Sequence, residues 1–231
     1  MIFGGIQKTT LVDYPGKVAC VLFTLGCDFK CSWCHNPELS SANLIPQQPI
    51  IDQSEVFSFL ESRKGLLQGI CITGGEPTIQ PDLIDFIRRV KEMGFLLKLD
   101  SNGSHPETLE KLITGDLVDY IAMDIKNRQS QYEKTIGCPT DFYKVQKSIE
   151  LVKTAPDYEF RTTVVPGLVS EEDILEIAEI IDGSKRYYLQ PFQSKKTAGF
   201  DYDKKSVLKK PDLEKIRDKI KHRFDTCEVR G

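Results

Sequence analysis

GICITGGEPTIQPDLIDFIRRVKEMGFLLKLDSNG, residues 69–103, holds two apolar runs with a helix-period segment between them. Gly69–Thr73 and Leu96–Asp100 are strand candidates, rich in Ile and Leu and bounded by turn residues. Between them Leu83, Phe86, Ile87, Val90 and Met93 recur at helical spacing, with Pro81 at the start and Gly94 as the stop. The same unit repeats along the chain. Val18–Thr24, Tyr120–Ile125, Tyr158–Val165 and Arg186–Gln190 are further strand candidates, and several are continuously apolar, as strands buried on both faces are. Ser104-x-x-Glu107 and Ser170-x-x-Asp173 have the form of capping boxes opening helices. Ile174, Ile177, Ala178 and Ile181 make one apolar face closed by Gly183, and Asp52 to Arg63 and Pro211 to His222 are read as helices. Alternating strands and helices give an α/β protein, a parallel sheet with helices packed outside it. Six units are fewer than the eight of a closed barrel. The sheet is therefore an open or partial barrel, or doubly wound.

The chain has 231 residues, 40% apolar, 28% charged and 9% aromatic, proportions that exclude collagen, repeat fibres and general disorder. At about 150 residues per domain this is one domain. It is read as spanning 1–231, with 1–17 an N-terminal extension and 194–231 a C-terminal tail. No apolar run approaches about 18 residues, and the first residues carry no basic region ahead of an apolar one. Neither a membrane span nor a signal peptide is expected. Net charge is −3 with a pI near 5.7, and without a basic stripe nucleic acid is not an expected partner. Seven cysteines, an odd count, argue against a disulfide framework and for a cytoplasmic setting.

In either α/β arrangement the ligand belongs at the carboxyl ends of the strands, and there the unusual residues gather. Cys27–His35 follows the first strand candidate, Gly74-Gly-Glu-Pro77 the second, Asp100-Ser-Asn-Gly103 the third and Asp124-Ile-Lys126 the fourth. Val165-Pro-Gly167 and Gln190-Pro-Phe-Gln193 follow the last two. Cys27, Cys31 and Cys34 stand in the spacing Cys-x3-Cys-x2-Cys. Three readings of that spacing stand side by side. One is a structural zinc completed by His35; another is cysteines without metal. The third is an iron–sulfur cluster held by three thiolates, which leaves one iron open to a ligand. Cys20 and Cys71 fall inside strands as small core residues. Cys138 and Cys227 are isolated, and His105 and His222 lack acidic or cysteine neighbours at ligand spacing and are read as surface residues.

The cysteine motif, with Trp33 before its last Cys, resembles the signature of the radical S-adenosylmethionine enzymes. The resemblance continues through Gly74-Gly-Glu-Pro77, Asp100-Ser-Asn-Gly103, Asp124-Ile-Lys126, Arg161-Thr-Thr-Val-Val-Pro-Gly167 and Leu189-Gln-Pro-Phe192, as in the glycyl-radical-enzyme activases. Gly4-Gly-Ile-Gln-Lys8, Leu11-Val-Asp-Tyr-Pro-Gly16 and Cys34-His-Asn-Pro-Glu-Leu39 are similar to the activating proteins of anaerobic ribonucleoside-triphosphate reductases.

The resemblance implies a partial (β/α)6 TIM-like barrel in which Cys27, Cys31 and Cys34 hold one 4Fe-4S cluster. The open iron would chelate S-adenosylmethionine, whose reductive cleavage leaves methionine and a 5′-deoxyadenosyl radical. Gly74 and Gly75 would admit the methionine moiety, with Glu76 accepting from its ammonium. Lys126 and Arg161 would neutralise its carboxylate, and with Asp124 they would position the cofactor for radical transfer. Trp33 and Asn36 would line the adenine and ribose side, with His35, Asn102 and Gln193 as further cofactor contacts. Asp100 and Asp124, with Ser101 and the Ala122 carbonyl, would frame a monovalent cation, or else pair as salt bridges. The implied partners are a glycyl radical enzyme as protein substrate and a flavodoxin- or ferredoxin-type electron donor. Ser101 stands where activases commonly have Thr, and Gln193 where the pyruvate formate-lyase activating enzyme has His.

Overall fold

The computed structural model describes residues 1–193 and 207–231. Its elements run β1 (Ile2–Thr10), β2 (Ala19–Thr24), α1 (Pro37–Ser40), β3 (Ile51–Asp52), α2 (Gln53–Glu61), β4 (Gly69–Gly74), α3 (Leu83–Glu92), β5 (Leu96–Ser101) and α4 (Pro106–Thr114). There follow β6 (Tyr120–Asp124), α5 (Tyr132–Ile136), α6 (Phe142–Lys153), β7 (Tyr158–Val164), α7 (Glu171–Ile180), β8 (Arg186–Pro191), α8 (Lys210–Ile220) and β9 (Thr226–Val229). The strands form one sheet in the order β3-β1-β2-β4-β5-β6-β7-β8-β9. From β2 to β9 every pairing is parallel, and β1 lies antiparallel to both β2 and β3. This is the partial barrel expected, open between β3 and β9. Among the described helices none is long and apolar enough to cross a membrane.

Strand parity explains the packing. Successive side chains point to opposite faces, and Ile70, Ile72, Leu97, Leu99, Ile121, Met123, Phe160 and Leu189 turn outward. They meet Leu83, Phe86 and Val90 of α3, Leu109 of α4, Val145 and Ile149 of α6, Ile174 and Ile177 of α7 and Leu213 of α8 in one buried core. The alternate positions face inward. Where a closed barrel stacks branched aliphatics, this interior holds Lys98, Asp100, Tyr120, Asp124, Glu159 and Arg161.

Several elements escaped the sequence reading. β1 lies in the expected N-terminal extension and β9 in the expected tail, of which 194–206 are outside the described residues. Helix α6 is capped by Asp141, which accepts from Tyr143 N at 3.1 Å. The Ser104–Glu107 capping box does not form: α4 starts at Pro106, and Ser104 N instead donates to Asn102 Oδ1 at 2.9 Å. Ser170 and Asp173 do form theirs, each side chain accepting from the other's backbone N–H, at 3.2 and 2.8 Å. Ser170→Ala should therefore lower stability by about 1 kcal/mol while leaving cofactor binding unchanged. Urea denaturation reads the first effect and calorimetry the second.

Candidate active site

The carboxyl ends of the parallel strands surround a cavity of about 250 Å³. Cys27, Cys31, Trp33, Cys34, His35 and Asn36 reach it from the loop after β2, and Gly74, Gly75 and Glu76 from the end of β4. Asp100, Ser101 and Asn102 come from β5, Asp124 and Lys126 from β6, and Arg161 from β7. Thus all but one of the cluster ligands and cofactor contacts expected from the sequence line a single space. The exception is Gln193, whose side chain is exposed and whose backbone alone meets the His35 ring. The glutamine that lines the cavity is Gln190, joined by Phe29, Ser40, Thr73 and Thr163. A neighbouring cavity of about 430 Å³ shares Cys27, Cys31 and Cys34.

Backbone contacts hold the cysteine loop in place. Glu76 N donates to Gly26 O at 2.8 Å, and a Cβ on Gly75 would fall 1.8 Å from that same oxygen. Glycine is therefore required at 75. On the other side Lys30 N donates to Ile136 O at 2.9 Å. There Gly137, at φ +76, passes so near that a Cβ would lie 2.5 Å from Lys30 O. Trp33 is buried, its Nε1 donating to Thr135 O at 2.8 Å, so it packs the loop onto α5 while its face lines the cavity. Lys126 Nζ lies 5.3 Å from the Trp33 ring centroid, within cation–π range.

Glu76 is committed to the protein itself. Its carboxylate accepts from Thr78 N at 3.1 Å, Ser101 Oγ at 2.9 Å, Asn102 N at 2.7 Å and the Thr78 hydroxyl. It staples the loop after β4 to the loop after β5. Asn102 in turn donates to Asp28 Oδ1 at 3.0 Å, beside Cys27. His105 is not the isolated surface residue expected: its ring nitrogens lie 3.5 Å from Asp28 and 3.1 Å from Glu107, whereas His222 is exposed.

The charged groups interlock. Arg161 Nε donates to Asp124 Oδ1 at 2.7 Å and its Nη1 to Asp100 Oδ2 at 3.3 Å. Lys126 Nζ donates to Asp124 Oδ2 at 3.0 Å, and Lys98 pairs with Asp100. Burial opposes the Asp124 anion, but Arg161 and Lys126 outweigh it and hold its carboxyl well below the usual range. Asp100 is lowered in the same way, burial being overcome by Arg161 and Lys98. Burial pushes the Cys27 thiol up, and pushes Cys31 to about 11 against the opposing effect of Lys126. As free thiols both keep their protons, and only a bound metal's charge would displace them.

The sequence profile described as the Radical SAM superfamily matches residues 21–182. The chain belongs to this superfamily. A Methanocaldococcus jannaschii protein, provisionally named as a glycyl-radical enzyme activating enzyme, is 34% identical over 99% of this chain and 95% of its own. The pyruvate formate-lyase-activating enzyme of Clostridium pasteurianum is 30% identical over 76% of this chain and 74% of its own. Among solved structures, Streptococcus suis SuiB bound to precursor peptide SuiA gives a TM-score of 0.69 at 15% identity. That match covers 91% of this chain but only 48% of SuiB, and it speaks for the fold alone.

Radical SAM membership brings a 4Fe-4S cluster and S-adenosylmethionine, and the residues fit both. Three soft thiols face a shared space, an iron–sulfur donor set with one position left open. Nε2 of His35 is buried with no hydrogen-bond partner. The sequence reading missed Lys98, Tyr120, Glu159 and Arg230, which underlie the radical SAM cavity. The available signal was charge at alternate strand positions, Lys98 with Asp100 and Glu159 with Arg161.

Proposed function

We propose that this radical SAM enzyme is a glycyl-radical-enzyme activase, working in the cytoplasm on a partner protein. The observation that carries the reading is near full-length similarity, on both chains, to a relative provisionally named for that activity. When bound, the cluster and S-adenosylmethionine would together supply one-electron radical chemistry capable of taking a hydrogen atom from a glycine Cα. The protein's part is to place and enclose. Cys27, Cys31 and Cys34 would hold the cluster. Arg161 and Lys126, the latter already facing Cys31, are the cations for the cofactor's carboxylate. Asp124 fixes both cations, and Trp33 supplies a flat apolar wall.

Of the finer assignments, the N-terminal motifs and Cys34–Leu39 favour an anaerobic ribonucleotide reductase as the partner. A flavodoxin- or ferredoxin-type protein is the proposed electron source. A monovalent cation is disfavoured by the charges present: Asp100 and Asp124 already face Lys98, Arg161 and Lys126, and the Ser101 hydroxyl is turned to Glu76.

The test is to mix anaerobically reconstituted, reduced protein with S-adenosylmethionine and candidate glycyl radical enzymes carrying Cα-deuterated glycine. A glycyl signal in electron paramagnetic resonance and deuterium in the 5′-deoxyadenosine are the expected results. If S-adenosylmethionine is cleaved but no candidate gains a radical and no label moves, the substrate is a small molecule and the activase reading fails.

A further inference from the structure

We infer that Arg230, which does not line the cavity, is a positioning residue for S-adenosylmethionine binding, acting through Glu159 on Arg161. The inference rests on the reading of the cavity just given. Glu159 and Arg161 stand two apart on β7 and so share its inward face. The Glu159 side chain is 1% exposed. Its carboxylate accepts from the Tyr120 hydroxyl at 2.7 Å and, in a two-pronged pair, from Arg230 Nη1 at 2.8 Å and Nη2 at 3.2 Å. Arg230 is brought there by β9: its backbone N donates to Leu189 O at 3.0 Å, and its guanidinium lies 3.4 Å over the Tyr188 ring.

Arg161 has three carboxylates within reach. Asp124 lies at 2.7 Å, Asp100 at 3.3 Å and Glu159 at 3.9 Å. A buried carboxylate demands a cation. Because Arg230 meets Glu159 with matched fork geometry, Arg161 is left to the two aspartates at the cavity. Among the described residues, no other cation lies within ion-pair distance of Glu159. Remove Arg230, and Arg161 becomes the nearest source of positive charge for a buried anion below the site. It would turn down the barrel, away from Asp124 and the cavity.

The competition also predicts its own suppressor. If Arg230 matters by neutralising Glu159, removing the Glu159 charge should make Arg230 dispensable. A simple packing role for Arg230 predicts the reverse, since a second interior change only adds to the damage.

The experiment measures S-adenosylmethionine binding by anaerobic calorimetry on reconstituted protein with its cluster oxidised, beside iron and sulfide content. Arg230→Met should keep full iron and bind about tenfold more weakly, as loss of an orienting outer partner generally does. Arg230→Lys should recover part of the affinity, and Glu159→Gln combined with Arg230→Met should return it to near the wild-type value. Wild-type affinity in Arg230→Met would overturn the inference, as would a folded, iron-replete double variant no tighter than the single one. Where Arg230→Met alone does not fold, a folded, iron-replete double variant of near wild-type affinity supports the inference and one that binds about tenfold more weakly overturns it. A wild-type protein that holds its cluster yet binds no S-adenosylmethionine would overturn the reading of the cavity, and this relay with it.

Discussion

Protein carrying Ala at Cys27, Cys31 or Cys34 should emerge from anaerobic reconstitution with iron and sulfide near background and with S-adenosylmethionine cleavage reduced by about 100-fold or more. The three sulfurs share one cavity, and the loop bearing them is pinned on two sides, through Gly26 to the Gly75 turn and through Lys30 to the end of α5. A loop so fixed cannot slide to bring up a replacement ligand. Cys138 is the nearest substitute, its Sγ 3.6 Å from Asp28 O. It stands on a separate backbone segment beside Gly137, which itself has no room for a side chain. Cys20→Ala and Cys227→Ala serve as controls. Both thiols are buried in the outer core, so these variants should keep full iron and lose only about 1 kcal/mol of stability. Full iron and undiminished cleavage in Cys34→Ala would refute the ligand assignment.

Arg161→Met should be the most damaging single change in the barrel interior, costing about 3–5 kcal/mol at neutral pH and most of the S-adenosylmethionine affinity. Arg161 is the cation that Asp100 and Asp124 share; without it, two buried carboxylates must make do with one lysine each. The pH dependence separates this from a packing defect. Both carboxyls titrate below their ordinary value in the folded protein. Their contribution is present above the unfolded value near 3.9 and is lost as pH falls through the folded values. In Arg161→Met the folded values rise toward the unfolded one, so that contribution shrinks. The stability gap should therefore be widest near pH 7 and narrow as pH drops below about 4, where protonated carboxyls need no counter-charge. Thermal unfolding across that range gives the profile, with a midpoint loss of about 10 °C expected at neutral pH. A gap that stayed constant at all pH values would point to packing.

The parts of the fold legible in the sequence were those that burial writes most plainly. Six of the parallel strands, β2 and β4 to β8, turn an apolar face to the helices, and β2 and β4 are apolar on both faces, as in Gly69-Ile-Cys-Ile-Thr73. β1 carries Gly4, Gly5, Gln7 and Lys8 because it lies toward the sheet edge and is partly exposed; it lacks that signature. β9, Thr226–Val229, is too short to show any period. The site residues stood out because they sit in loops at strand ends, where nothing else explains a cysteine triad or a Gly-Gly-Glu-Pro turn. Gln193 rested on the resemblance alone: it lies beyond the strand end at Pro191, whereas Gln190 shares the inward face with Tyr188 and lines the cavity. Lys98, Glu159 and Arg230 were hidden for a different reason. Lys98 and Glu159 lie inside strands read only as core and Arg230 just past β9, which fell in the expected tail, and only the neighbouring strands reveal that those positions face a charged interior.

The order of the strands has a consequence for how the molecule is made. β3 joins the far edge beside β1 and β4 joins beside β2, and from β5 through β9 each strand is added beside the one before it in the chain, so no docked strand must part to admit a later one. From β4 onward chain closure at each step spans only the helical crossover between neighbouring strands, which keeps its entropic cost low. During synthesis the sheet can grow outward from β2 as the polypeptide emerges, with the cysteine loop and its Gly75 contact among the earliest parts in place. The anionic partner of Arg230 waits on β7 until β9 arrives. Cluster ligands are thus available before the interior charges are balanced, and competence to hold the organic cofactor would be a late event, set by the docking of β9.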